Sequence, residues 1–162
     1  MGKRNRRQNQ KERNRRIDTA MKRFFDFMNE SKKEDTSTNQ ISESFGIDIE
    51  DKTVENEFFR EVLYTGKHLQ LVVMCIPVGG DIGKEVHNEG DQFIRVESGT
   101  AEFMINDVVY KGSDGFAVVI DQGSLHNVRN IGEDPLKLYA VYSWPNHPKD
   151  RLDVVKPTEE KE

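Results

Sequence analysis

The chain of 162 residues has a single cysteine, Cys75, so no disulfide can form within it. That excludes a disulfide-stapled scaffold and fits a reducing compartment, which makes a cytoplasmic location the expectation. Cys75 lies in the run Leu71-Val72-Val73-Met74-Cys75-Ile76, where a small buried thiol is expected rather than a nucleophile. No apolar run approaches the ~18 residues of a membrane span, so no transmembrane segment is expected. The charged start is not followed by the apolar core of a secretory signal. Its arginines also fit a transit segment, although serine and alanine are scarce there.

Residues 2–16 contain no apolar side chain that could form a core. Such a stretch cannot bury enough surface to offset the entropy of ordering. Negative charge is also missing from it: residues 1–23 hold ten Lys/Arg against Glu12 and Asp18, a local +8. The net charge of the whole chain is −5, so the remainder carries −13 and the two parts need separate accounts. From Ile17 onward, Ile17, Met21, Phe24, Phe25 and Met28 recur at helical spacing, which predicts an amphipathic helix. A basic extension with such a helix is thus expected over residues 1–30. Residues 1–23 could tether a nucleic acid or an anionic surface. They could equally be a solvated tail whose apolar stripe packs on the barrel or on a second copy. Residues 31–53 are rich in Ser, Thr, Asn, Asp, Glu and Lys and read as a polar linker.

Past residue 54 the pattern is that of a β protein. Short β-prone runs at 58–64, 68–76, 83–87, 92–97, 100–106, 108–110, 116–120, 125–129 and 136–143 alternate with turn residues such as Ser98-Gly99 and Asp121-Gln122-Gly123. Strands at this spacing suggest a sandwich or barrel, with a jelly roll among the options. No long amphipathic segment separates them, which argues against a βαβ fold. Residues 151–162 read as a C-terminal tail.

Four residues in this region carry candidate chemistry. Glu85 and His87 stand two apart and share a face of an extended segment. Gln92 shares a face with Ile94 and Val96, where a buried amide needs a partner. His126 opens a further apolar run. Two imidazoles, a carboxylate and an amide oxygen suit a divalent transition metal, with iron, manganese, nickel and zinc favoured over calcium.

These residues fall in a recognisable register. Gly79-x5-Glu85-x-His87-x4-Gln92-x6-Gly99 keeps the spacing G-x5-H-x-H-x3-4-E-x6-G, and Gly115-x5-Asp121-x-Gly123-x2-His126-x3-Asn130 keeps G-x5-P-x-G-x2-H-x3-N. On both motifs the chain resembles the cupin superfamily. Phe58–Gly66, Asp91–Glu97 and His126-Asn127-Val128 look like its small cupins, some loosely called mannose-6-phosphate isomerase-like. The resemblance implies an all-β, double-stranded β-helix (a cupin jelly-roll barrel) over residues 54–150, carrying the basic, partly helical extension. It also implies one divalent metal in the barrel, held by Glu85, His87, Gln92 and His126. Three positions depart from the motifs: Glu85 replaces a histidine, Gln92 a glutamate and Asp121 a proline. Glu85 restores the anionic ligand that Gln92 gives up, and Asp121 affects a turn rather than a ligand.

A metal-dependent enzyme on a small organic substrate is the implied function, of isomerase or dioxygenase type, with Glu85 as a candidate general base. The alternative is a non-catalytic module that binds or senses a small ligand, with the basic arm reaching a partner. A homodimer is expected, because exposed sheet edges favour pairing. His68, His147, Tyr139, Tyr142 and Trp144 are expected to be surface, packing or rim residues.

Overall fold

The computed structural model describes residues 44–158 and Lys22. The basic extension, its apolar stripe and the anionic contact expected of residues 1–23 lie outside the described residues, Lys22 apart. The same holds for residues 31–43 of the expected linker. The chain divides into two units between Ser44 and Phe45, and every described strand belongs to the second.

Alternation along the strands sorts side chains into a core. In β3 (Gln92–Ser98), Gln92, Ile94 and Val96 are buried, while Phe93 and Arg95 are only half-covered. β4 (Ala101–Ile105) buries Ala101 and Phe103, and β6 (Ala117–Ile120) buries Val118 and Ile120. β7 (His126–Asn130) buries His126, Val128 and Asn130 but also Asn127. The period of two places each set on one face. With β1 (Arg60–Thr65), β2 (Gln70–Ile76), β5 (Val108–Gly112), β8 (Leu136–Tyr142) and β9 (Leu152–Asp153), they form two antiparallel sheets. The larger has the order β6-β3-β8-β2-β1-β9 and the smaller β5-β4-β7. Val72, Met74, Ile76, Ile94, Val96, Phe103, Val128, Leu136 and Leu138, from both sheets, form one buried cluster.

Three elements differ from the sequence expectation. Residues 83–87 are not a ladder strand. The chain from Asp81 to Glu85 runs antiparallel along β7 through isolated bridges at Asp81↔Arg129 and Glu85↔His126. Gly83 sits between the bridges at φ +96°, a conformation that suits glycine. A helix, α1 (Ile49–Glu55), occupies part of the stretch read as linker. It shows no apolar periodicity in the sequence because polar groups hold it. Asp48 caps its N-terminus by accepting from Asp51 N at 3.2 Å. Fully buried Thr53 donates to the Ile49 carbonyl at 2.6 Å, and Lys137 donates from β8 to the carbonyl of the C-cap residue Asn56. The helix packs against β2, β3 and β8. Val73, Cys75 and Lys137 are buried on the strand faces turned away from the core, and Cys75 is the buried small residue expected. Lastly, β9 lies in the expected tail, where Leu152 and Asp153 pair with Glu61 and Arg60. Two residues are too few to show a period.

The motif glycines and Asn130 serve the fold. Gly99 turns β3 into β4 at φ +89°, where a Cβ would stand 2.9 Å from Leu136 Cα. Asn130 donates to the carbonyls of Ile76 and Asp134 and accepts from Gly132 N, at 2.9–3.0 Å. Asp121 is exposed, and its carbonyl accepts from Ser124 N at 3.1 Å in the turn before β7.

Candidate metal centre

The bridge between Glu85 and His126 builds the site. Glu85 N donates to the His126 carbonyl at 2.9 Å, and His126 N donates back to the Glu85 carbonyl at 3.0 Å. The two residues therefore stand side by side although forty residues separate them in sequence. One residue further on, the Asn127 side chain pins the same segment. Its Oδ1 accepts from Gly83 N at 3.1 Å, and its Nδ2 donates to Asp81 at 3.0 Å. His87 comes after Glu85 at the next position on the same face, and its carbonyl accepts from Gly123 N at 2.8 Å. Gly123, at φ +80°, makes the turn that delivers the chain into His126.

Glu85, His87 and His126 thus converge, each offering one potential ligand atom within 4.8 Å of the others. Glu85 Oε2 lies 3.5 Å from His87 Nε2, and the two imidazole rings are 5.0 Å apart. His126 is fully buried, and its Nδ1 lies 2.9 Å from the Ser124 carbonyl oxygen. A carbonyl only accepts, so Nδ1 carries the proton in that contact and Nε2 is left with a bare lone pair. That Nε2 is buried with no hydrogen-bond partner, and so are His87 Nε2 and Gln92 Oε1. Buried orphan acceptors are costly in a closed protein. The two imidazole nitrogens beside a carboxylate are the arrangement a divalent cation satisfies, and the Ser124 carbonyl is the kind of outer partner that fixes a ligating histidine. The residues present therefore fit a metal ion.

Gln92 reaches this region from the opposite sheet. It is in register with Tyr142 on β8, and the Tyr142 ring meets His87 edge-on with centroids 5.4 Å apart.

The electrostatics favour an anion at Glu85 and neutral imidazole at His126. Burial alone would raise the Glu85 pKa. The nearby His87 imidazole and the charge of Arg60 outweigh it and hold the carboxyl below its ordinary value. Burial also pushes the His126 pKa down, against the pull of the Ser124 carbonyl.

Arg60, to which the sequence analysis gives no role, matters here, as do Tyr142 and His147. Arg60 is buried on the inner face of β1, its guanidinium 3.7 Å from Glu85 Oε1 and 3.2 Å from Asp153 Oδ2. The available signal was its spacing from Val62, which places a charge on an apolar strand face. Tyr142 and His147 were expected to pack or to sit at the rim. Tyr142 is buried, and its hydroxyl lies 3.3 Å from His147 Nε2. Burial, followed by the Arg60 charge, lowers the His147 pKa to about 4. His147 is not part of the converging cluster. Beside the cluster, a cleft of about 290 Å3 runs from His87 and Tyr142 to an exposed rim that includes Asn88, Asp91 and Trp144. His68 is exposed, its ring edge-on to Trp144 at 4.6 Å.

Known proteins with the same organisation were found by sequence and by fold. The family profile of the cupin domain matches residues 72–142. An uncharacterized protein of Bacillus subtilis, YrkC, is 42% identical over 115 residues, which are 64% of this chain and 59% of that protein. The chain thus spans about three-fifths of this relative. An uncharacterized protein of Acanthamoeba polyphaga mimivirus is 34% identical over 126 residues, 75% of this chain and 77% of the relative. The crystal structure of a Bacillus halodurans protein superposes with a TM-score of 0.70 at 40% identity, covering 74% of this chain and 96% of the other. Motif register, double-stranded β-helix and relatives agree, and the chain belongs to the cupin family.

Proposed function

We propose that this cupin holds one divalent transition metal, iron, manganese, nickel or zinc, and acts as a metal-dependent enzyme on a small organic substrate. Glu85, His87 and His126 are the ligands in this reading, and the Gln92 amide oxygen either joins them or accepts from a ligand of the ion. The observation that carries it is the convergence of Glu85, His87 and His126 within 4.8 Å, with His87 Nε2 and His126 Nε2 buried and unpartnered.

When bound, such an ion supplies Lewis acidity or oxygen chemistry, which keeps both isomerase and dioxygenase types open. The chain's own residues supply the rest. Ser124 holds the His126 tautomer, and Tyr142 packs against the His87 ring. The cleft admits a molecule to that side of His87. Glu85 is assigned to the ion rather than to proton transfer, because a carboxyl held below its ordinary pKa is a weak base near neutrality.

Metal analysis of purified protein after incubation with each candidate ion tests this reading. One ion per chain is expected in the wild type and none in His126→Ala. The homodimer also has a concrete edge on which to form: β5, paired on one side only, exposes Val108, Val109 and Tyr110. Sedimentation of the wild type against Val109→Lys tests that placement, and a monomeric wild type would contradict it.

A further inference from the structure

Arg60 is a buried charge with an unpartnered N–H group. Its side chain is 7% exposed, and a guanidinium has five N–H groups to place. One, on Nη1, donates to Asp153 Oδ2 at 3.2 Å. Nη2 lies 3.7 Å from Glu85 Oε1, too far for a hydrogen bond. Nε is buried with no partner at all. Asp153 is itself shared, since both its oxygens also accept from Arg151 Nε at 3.0–3.2 Å. The guanidinium also lies over the Phe59 ring, 5.5 Å from its centroid, yet a buried cation with an unpartnered N–H is expensive to keep for stability alone.

The charge balance gives this a direction. Glu85 faces two ways: Oε2 lies 3.5 Å from His87 Nε2, while Oε1 faces Arg60. If an ion takes Glu85, as in the proposed function on which this inference rests, Arg60 loses most of its claim on that carboxylate. The interior then holds two carboxylates, Glu85 and Asp153, against the Arg60 guanidinium and a divalent ion. That leaves one positive charge in excess even before Arg151 is counted. A monoanion restores neutrality. Among monoanions, a planar carboxylate matches the fork of N–H groups that a guanidinium presents. The cleft is walled on its inner side by His87 and Tyr142. Glu85 lies 3.5 Å from His87 Nε2, and Arg60 in turn lies 3.7 Å from Glu85.

We propose that the metal-loaded centre takes a small carboxylate, and that Arg60, beside Glu85 and with its Nε–H unpartnered, is the group that receives it.

The test uses full-length protein loaded with cobalt(II), whose visible spectrum reports changes at the ion. Cobalt content is measured first. Acetate, acetamide and inorganic phosphate are then titrated in turn. Acetate is expected to shift the spectrum saturably, with acetamide and phosphate at least about tenfold weaker. Arg60→Met should retain cobalt and its response to acetamide while weakening acetate by about tenfold or more. Arg60→Lys, which keeps the charge and loses the fork, should show a smaller loss and carries the test if the methionine variant does not fold. Acetamide matching acetate in the wild type would overturn the carboxylate assignment and leave the metal reading standing. So would unchanged acetate affinity in the variants that fold. Failure of the wild type to take up cobalt would overturn the metal reading, and this inference with it.

Discussion

Gln70 and Gln92 flank the same residue, Tyr142, from the neighbouring strands β2 and β3. Both are buried, at 0% and 2% exposure, yet their amides have opposite fates. Gln70 Nε2 donates to Thr65 Oγ1 at 2.9 Å and to the His147 carbonyl at 2.8 Å. Its Oε1 accepts from Asn146 N at 3.0 Å and His147 N at 2.9 Å. It clamps the turn that lays His147 against Tyr142. Gln92 Oε1 has no partner. One amide is fully occupied in holding the chain and the other is left waiting, so the same residue type in the same row is structure on one side and site on the other.

The largest expected effect is on the waiting side. His126→Ala should lower metal affinity by more than about a hundredfold, since a ligand and its fixed tautomer are lost together; equilibrium dialysis with zinc measures it. Next is the occupied side. Gln70→Leu strands two backbone N–H groups and a carbonyl, and should cost about 3 kcal/mol in urea unfolding while leaving metal content intact. Gln92→Leu should do the reverse. Removing an orphan acceptor should leave metal-free stability level or raise it by about 1 kcal/mol, and metal affinity should fall. If Gln70→Leu lost metal, or Gln92→Leu lost stability, the contrast between the two amides would fail.

Little of that contrast could be read in the sequence. The fold was legible because the two motifs fix the glycines that turn the chain, Gly79, Gly99, Gly115 and Gly123, all at positive φ. Glu85, His87 and His126 were legible from the same register. Gln92 was legible as a polar residue on an apolar face, and by that rule Gln70 would also qualify. What separates them is a turn 77 positions away from Gln70, a distance that no local pattern spans. Arg60 was hidden for a related reason: its partner Asp153 lies on a two-residue strand 93 positions downstream. Helix α1 was missed because Asp48, Thr53 and Lys137 hold it in place of an apolar stripe.

The smallest effect is in the pH response of the turn that Gln70 holds. Unfolded, His147 takes up a proton near its ordinary 6.5; folded, only near about 4. Between those values the unfolded chain binds more protons, so metal-free stability should fall as pH drops through that window. His126, whose pKa is also lowered, adds in the same direction. His147→Gln should flatten the slope in part, read from urea midpoints between pH 7 and about 4.5. An unchanged slope would mean that the ring is not held neutral by its surroundings.

The central claim is that Glu85, His87 and His126 close on one ion. The most direct measurement is X-ray absorption of the zinc- or cobalt-loaded protein, with metal content per chain determined on the same sample. One ion per chain is predicted, with two imidazoles among nitrogen and oxygen ligands and one imidazole fewer or no ion at all in His87→Ala. A folded wild type that retains none of the four metals, or an ion whose shell lacks imidazole, would contradict it.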